Sequence, residues 1–175
     1  MEFVGPGVSS LPVEFRNGVD VMTTETTCWS SIWRTDEKVE EYLALHGRPG
    51  DYRRLDPAQA AWYGRAAVVD LSEIRPMIAL PFHPSNVCTI DELTGNPYEI
   101  LKKVEGEACA AFEDETLKLG LTDKISKNGE IRADQGIIAG CSGGIFDNVV
   151  AAAQILMGRG TRGFPLSVYP GSSPR

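Results

Sequence analysis

The chain has 175 residues, with 17 lysines and arginines against 24 aspartates and glutamates, and a net charge of −7. An apolar share of 42% and a charged share of 23% suit a soluble globular protein of one domain or two small subdomains. The acidic balance, with no basic run, argues against nucleic acid or anionic lipid as partners. No apolar stretch reaches the roughly 18 residues of a membrane helix. The opening MEFVGPGVSS has neither the basic nor the apolar region of a signal peptide, so a cytoplasmic location is expected. Cys28, Cys88, Cys109 and Cys141 form no CxxC pair, and reduced thiols that pack as small hydrophobes are expected of most of them.

In chain order, Ser9-Ser10-Leu11-Pro12 reads as a helix start, a serine cap followed by a proline in the first turn. Leu11, Phe15, Val19 and Met22 then fall on one face at helical spacing. Residues 26–33, rich in Thr, Trp and Ile, read as a strand. Thr35-Asp36 caps a helix, DEKVEEYLALHG, that stops at Gly47 ahead of Pro49. Residues 48–64 read as a loop with a short helical turn, and the apolar run at 66–71 as a buried strand. The proline-rich MIALPFHP segment is expected to run extended, with a subdomain boundary near Pro84 to Asn86. Residues 97–119 carry a long helical pattern with Ile100, Leu101, Val104, Ala108, Ala111 and Phe112 on its apolar side. LTDKISKNGEIRADQ reads as a charged hairpin turning at Asn128-Gly129. A strand at 136–140, a cysteine turn, a helix at 146–159 and a closing strand in FPLSVYPGSSPR complete the pattern. Strands alternating with helices predict an α/β fold, a layered sheet with flanking helices.

The stretch GIIAGCSGGIFDN sets Cys141 between small residues where a strand gives way to a helix. Ligands of α/β folds bind at such strand ends, and the open amides of a helix start favour negative charge, including a thiolate. Gly140, Gly143 and Gly144 leave room for a ligand to approach the sulfur. Three readings of Cys141 stand on the residues alone. It is a nucleophile, since Ala139-Gly140-Cys141-Ser142-Gly143 nearly matches the G-x-[CS]-x-G elbow and His46 or His83 would then be its base. It is a metal or cluster ligand, which needs partner thiolates. Or it is a small residue in a tight turn.

The wider pattern resembles the aconitase-type hydro-lyases, a family that includes aconitase and the isopropylmalate isomerase large subunit. EFVGPGVSSL is similar to the family's E-[FY]-x-G-P-G-[VI]-x-S-[IL] opening, and VVDLSEIRPMIALPFHPSNV to its I-[DN]-L-S-E-L-x-P segment. IIAGCSGGIFDNVVAAAQILMGRG resembles its G-S-C-T-N-[GS]-x-x-E-D-L segment, and FPLSVYPGSSPR its strand ending in P-[GA]-S. The order and approximate spacing agree from Glu2 to Ser172, least well in the charged excursion before Asp134.

The resemblance implies two incomplete subdomains of the aconitase iron–sulfur type, residues 1–85 like the family's second domain and 86–175 like the start of its third. It implies that Cys141 is the first of three thiolates holding a [4Fe–4S] cluster, and that Glu25 is the active-site glutamate near the cluster's open iron. In the family that iron is the Lewis acid for removal and re-addition of water in a di- or tricarboxylate, so a small carboxylic acid is the expected substrate. The family's serine, threonine and asparagine around the cysteine are replaced in Ala139-Gly140-Cys141-Ser142-Gly143, and its active-site asparagine aligns with Val21. The other two cluster cysteines lie beyond the P-[GA]-S strand in the family. The chain is therefore expected to be an internal piece, inactive alone, whose partners are the remaining domains of a longer protein. A cluster-free scaffold on the same fold is the alternative.

Overall fold

The computed structural model describes residues 1–114 and 116–171. The end of the P-[GA]-S motif, at Ser172, lies outside the described residues. The chain divides into two compact units, one of residues 1–69 and 135–175, the other of residues 70–134. The fold is α/β, and among the described residues its strands form three separate two-stranded sheets with helices beside them. Strands of two or three residues carry too few ladder bonds to recruit further neighbours.

The first unit begins with strand β1 (Glu2–Phe3) and a 3-10 turn at Pro6–Ser10. Ser9 and Ser10 do not cap the helix. Their hydroxyls donate back to the Pro6 and Gly7 carbonyls at 3.0 and 2.7 Å, which closes the 3-10 turn. Helix α1 (Val13–Met22) starts one step later, behind Pro12. Its expected apolar face is not its buried one: Phe15 is 53% exposed, Met22 is exposed, and the residues it buries are Arg16 and Gly18.

The strand expected at 26–33 is shorter than its composition suggests. The chain continues from α1 into a 3-10 turn at Thr23–Thr26, closed by Thr27 at φ 60°. Thr23, Thr24 and Thr26 each donate a hydroxyl to the carbonyl three residues back. Such local bonds compete with ladder pairing, and only β2 (Ile32–Trp33) remains extended, parallel to β1. Phe3 and Trp33 stack across that pair with ring centroids 4.1 Å apart, and the Trp33 indole donates to Asp20 at 3.0 Å. Helix α2 (Glu37–Leu45) is capped by Asp36, whose side chain accepts from the Val39 amide. It ends as expected at Gly47: the Arg48 amide reaches the Leu43 carbonyl at 2.8 Å and the Gly47 amide the Ala44 carbonyl at 3.0 Å, the paired bonds of a Schellman ending.

Residues 66–70 are irregular and exposed, not a buried strand; Val68 is 97% and Val69 64% exposed. An apolar run becomes a strand only where a partner strand meets it, and none of the three sheets includes it. The second unit opens with a 3-10 turn at Leu71–Glu73 capped by Asp70. Strand β3 (Met77–Ala79) pairs antiparallel with β4 (Val87–Thr89). Thr89 and Glu92 form a reciprocal capping box at the start of helix α3 (Ile90–Gly95). Helix α4 (Pro97–Ala111) follows with proline in its first turn. The helix expected over 97–119 ends at Ala111; Leu101, Val104 and Ala108 of its expected face are buried, together with Leu93 of α3, while Ala111 and Phe112 are exposed. The Glu105 carboxylate accepts from the amides of Leu121 and Thr122, so α4 anchors the chain entering the hairpin. That hairpin turns at Gly129 as predicted, with Ile125 bridged to Ile131.

The chain returns to the first unit through strand β5 (Gly136–Ile138), a short helix α5 (Gly140–Gly143), helix α6 (Phe146–Leu156) and strand β6 (Leu166–Val168), which lies parallel to β5. Among the described residues of this unit, Val8 is the buried apolar side chain, so polar contacts carry much of its cohesion. The chief one is Arg16, 2% exposed. Its Nη1 and Nη2 donate to the two carboxylate oxygens of Asp36 at 3.1 and 2.6 Å, and Nε and Nη2 donate to the Leu11 carbonyl. Burial by itself would raise the Asp36 carboxyl. The Arg16 hydrogen bonds and charge, with the Val39 and Lys38 amides, outweigh it and hold that carboxyl below its ordinary value.

Replacing Asp36 with alanine leaves the Arg16 charge buried without its partner and should cost about 3 kcal/mol in chemical denaturation. Because the folded carboxyl titrates lower than the unfolded one, the pair's contribution is complete above about pH 4 and is lost as pH falls through the folded value. Asp36→Asn should therefore be less stable at neutral pH and show a shallower acid slope than the parent chain.

Candidate functional site

The cysteine turn is built by two glycines with different tasks. Gly140, the first residue of α5, sits at φ 82°, where a side chain is strained. Gly144 is buried where the chain leaving β6 crosses the turn. A Cβ there would lie 2.6 Å from the Tyr169 carbonyl oxygen, 2.7 Å from that of Gly140 and 3.0 Å from the Gly171 amide. The Gly171 amide donates to the Gly144 carbonyl at 2.8 Å, and the Tyr169 amide to the Ile138 carbonyl at 2.8 Å. The parallel pair of β5 and β6 thus extends into a clamp over α5. Of the three glycines expected to make room for a ligand, only Gly143 has nothing within 4 Å of an added Cβ at an ordinary backbone angle. Gly140 and Gly144 are explained by the turn itself.

Cys141 is exposed, while Cys28, Cys88 and Cys109 are each partly covered. Its neighbour Ser142 faces α1, with its hydroxyl 3.4 Å from the Gly18 carbonyl, and the Asn148 amide nitrogen donates to the Ser142 carbonyl at 3.0 Å. Glu25 is exposed in the 3-10 turn that prolongs α1. Helix α1 packs on α5, so one helix supports the cysteine turn along its side and carries the glutamate turn at its end.

The acyl-transfer reading needs a histidine as base to this thiol, and both histidines carry local bonds through Nδ1. His46, which shares a unit with Cys141, bonds the Tyr42 carbonyl at 2.7 Å through Nδ1, and its ring lies 4.2 Å from the Tyr42 ring at a tilt of 32°. His83 lies in the β3–β4 turn, with Nδ1 2.7 Å from the Ser85 hydroxyl. Three or four thiolates hold an iron–sulfur cluster. Among the described residues no three His, Cys, Asp or Glu side chains converge on a common point. Cys28 contacts the Thr26 hydroxyl at 3.2 Å and Cys109 donates to the Leu117 carbonyl at 3.3 Å. The side chains of this chain taken alone therefore do not fit a [4Fe–4S] cluster; they offer one free-standing thiol for it.

Neither the Gly18–Ser142 contact nor the Gly171 clamp stands out from the residue pattern. The one available signal was Gly18 itself: a glycine inside a helix costs about 1 kcal/mol relative to alanine and usually has a packing reason.

The strand, the glycine-clamped turn and the helix belong to an α/β chain that has relatives among known sequences. The chain is 28% identical over 171 residues to the 3-isopropylmalate dehydratase large subunit of Caldicellulosiruptor bescii, covering 97% of this chain and 32% of the relative. It is 29% identical over 159 residues to the Clostridium kluyveri protein of the same name, covering 91% and 29%. It is 27% identical over 159 residues to the 2,3-dimethylmalate dehydratase large subunit of Eubacterium barkeri, covering 91% and 30%. A profile of the aconitase family (aconitate hydratase) matches residues 1–174, and the chain belongs to that family. It spans about a third of the length of the curated relatives it matches. No described helix is long and apolar enough to cross a membrane.

Gly144→Ala should destabilise the first unit by about 2 kcal/mol, because its new methyl meets backbone that cannot yield. Gly143→Ala should stay within about 0.5 kcal/mol of the parent. Thermal unfolding of the two variants side by side reads the difference.

Proposed function

We propose that the chain is part of an aconitase-type hydro-lyase that removes and re-adds water on a di- or tricarboxylate. In this reading Glu25 is the catalytic carboxyl group and Cys141 is one of three thiolates of a [4Fe–4S] cluster in the longer protein. The observation that carries it is the shared support: α1 packs against the helix bearing Cys141 and runs on into the turn bearing Glu25. Both groups are exposed, as groups that meet a ligand must be. A carboxyl group so placed can give a proton to the hydroxyl that leaves as water and, in the reverse direction, take one from the water that adds, work worth about 10²–10⁴ in rate. The names of the relatives, dehydratases of isopropylmalate and dimethylmalate, support a branched dicarboxylate as substrate.

Residues 1–85 and 86–175 are assigned to the family's second and third domains on motif order. The remaining domains of the longer protein are the partners, and they supply the thiolates this chain lacks. The relatives are named as large subunits, which supports a further chain beside it. A cytoplasmic location goes with an oxygen-sensitive cluster and reduced thiols. The cluster-free scaffold is favoured by Val21 and by the Ala139-Gly140-Cys141-Ser142-Gly143 turn, which lack the family's polar side chains.

Two measurements separate these readings. Residues 1–175, treated anaerobically with iron and sulfide, should retain far less than one cluster per chain; a stoichiometric cubane would overturn the assignment of the missing thiolates to other domains. The longer protein, loaded the same way, should dehydrate a hydroxy dicarboxylate, followed by ultraviolet absorbance of the new double bond. Glu25→Gln should lower that kcat by about 10²-fold or more. A longer protein that takes up no iron would establish the scaffold instead.

A further inference from the structure

We propose that Gly18 and Ser142 are positioning residues that set the separation between the Cys141 turn and the Glu25 turn. The proposal rests on the reading of those two residues as one site, but the contact itself stands on the packing of a single compact unit. Gly18 is buried in the middle of α1. A Cβ built on it would lie 3.5 Å from the Ser142 Oγ and 3.5 Å from the Ile145 Cδ1. One methyl therefore fits at van der Waals distance and anything longer must push α5 away. The Ser142 hydroxyl lies 3.4 Å from the Gly18 carbonyl, so the contact has an attractive side as well as a steric limit.

Both ends of this lever are fastened. On the cysteine side the Gly171 amide and the Gly144 carbonyl hold the turn, and Asn148 holds the Ser142 carbonyl. On the glutamate side α1 passes directly into the 3-10 turn, where the buried Thr23 donates to the Asp20 carbonyl at 2.7 Å and its own carbonyl accepts from the Cys28 amide. With both turns secured, the close approach of α1 to α5 at Gly18, beside the packing of α1 on α6, sets their spacing. A departure of this spacing by about 1 Å is enough to cost an active site much of its rate.

The test uses the full chain with Cys28, Cys88 and Cys109 replaced by serine and Glu25 by cysteine, nitroxide labels on positions 25 and 141, and electron spin resonance distance measurement. The parent and Gly18→Ala should give one narrow distribution. Gly18→Leu should move its centre by about 2 Å or broaden it comparably, since overpacking shifts backbone, with far-UV circular dichroism unchanged. Ser142→Ala, which adds no bulk, should broaden the distribution, and Ser142→Thr should restore it; this pair decides the matter if Gly18→Leu does not fold. A distribution that stays narrow and unmoved in the folded Gly18→Leu and Ser142→Ala chains overturns the positioning role. Hydro-lyase activity is not read in this experiment, so failure of the proposed chemistry and failure of the positioning role are separate results.

Discussion

Arg16 and Asp36 hold the first unit in a way its apolar residues do not. A buried guanidinium is costly unless its donors are met, and here two hydrogen bonds go to the Asp36 carboxylate and two to the Leu11 carbonyl. The same carboxylate caps α2. One ion pair therefore fixes the entry of α1, its orientation toward α2 and the start of α2. Tyr42 adds a second tie between the helices by donating to Glu14 at 3.1 Å. With Val8 as the buried apolar residue of this unit among those described, removal of that pair has no hydrophobic reserve behind it. The cost is set by desolvation of the orphaned charge more than by the attraction lost.

From that anchor the candidate site follows by packing. Once α1 is placed, its glycine face receives α5, and the chain leaving β6 closes over Gly144 from another direction. The cysteine turn is therefore shaped by protein contacts on two sides, before any ligand is considered. Its glycines serve the turn, and its thiol faces solvent. The path of this turn depends on Gly140 and Gly144. The second unit differs in kind: Leu93, Leu101, Val104 and Ala108 form a small apolar core, and Glu105 and the capping box at Thr89 finish the connections.

Much of the local structure was legible in the residue order because its hydrogen bonds close over three to five residues. The Asp36 cap, the end of α2 at Gly47 and the turn at Gly129 are of this kind, and the family resemblance rests on ordered motifs. The proline segment is extended only at Met77–Ala79, where β4 pairs with it, and turns from Pro81. The apolar face of α4 was also readable, since its 3.6-residue period meets its core within the same unit. Of the expectations that failed, some depended on a partner distant in sequence and others gave way to hydroxyls bonding back along the chain, as at Ser9 and Ser10. Residues 66–71 have strand composition and no strand to pair with. Residues 26–33 are taken over in part by threonine hydroxyls bonding back along the chain. The Phe15 and Met22 face of α1 stays exposed because the helix is held from its other side.

By itself the sequence determined the helices with strong caps, the charged hairpin, the exclusion of a long apolar span and membership of the aconitase family. Only the tertiary structure decided that α1 turns Arg16 and Gly18 inward, that Gly144 is crossed by the chain at Tyr169 to Gly171, and that Cys141 and Glu25 share one supporting helix. The reason is range. Propensities and caps act between neighbours and leave a mark in composition, whereas a buried ion pair between residues 16 and 36, or a close approach between residues 18 and 142, exists only after the intervening chain has folded back.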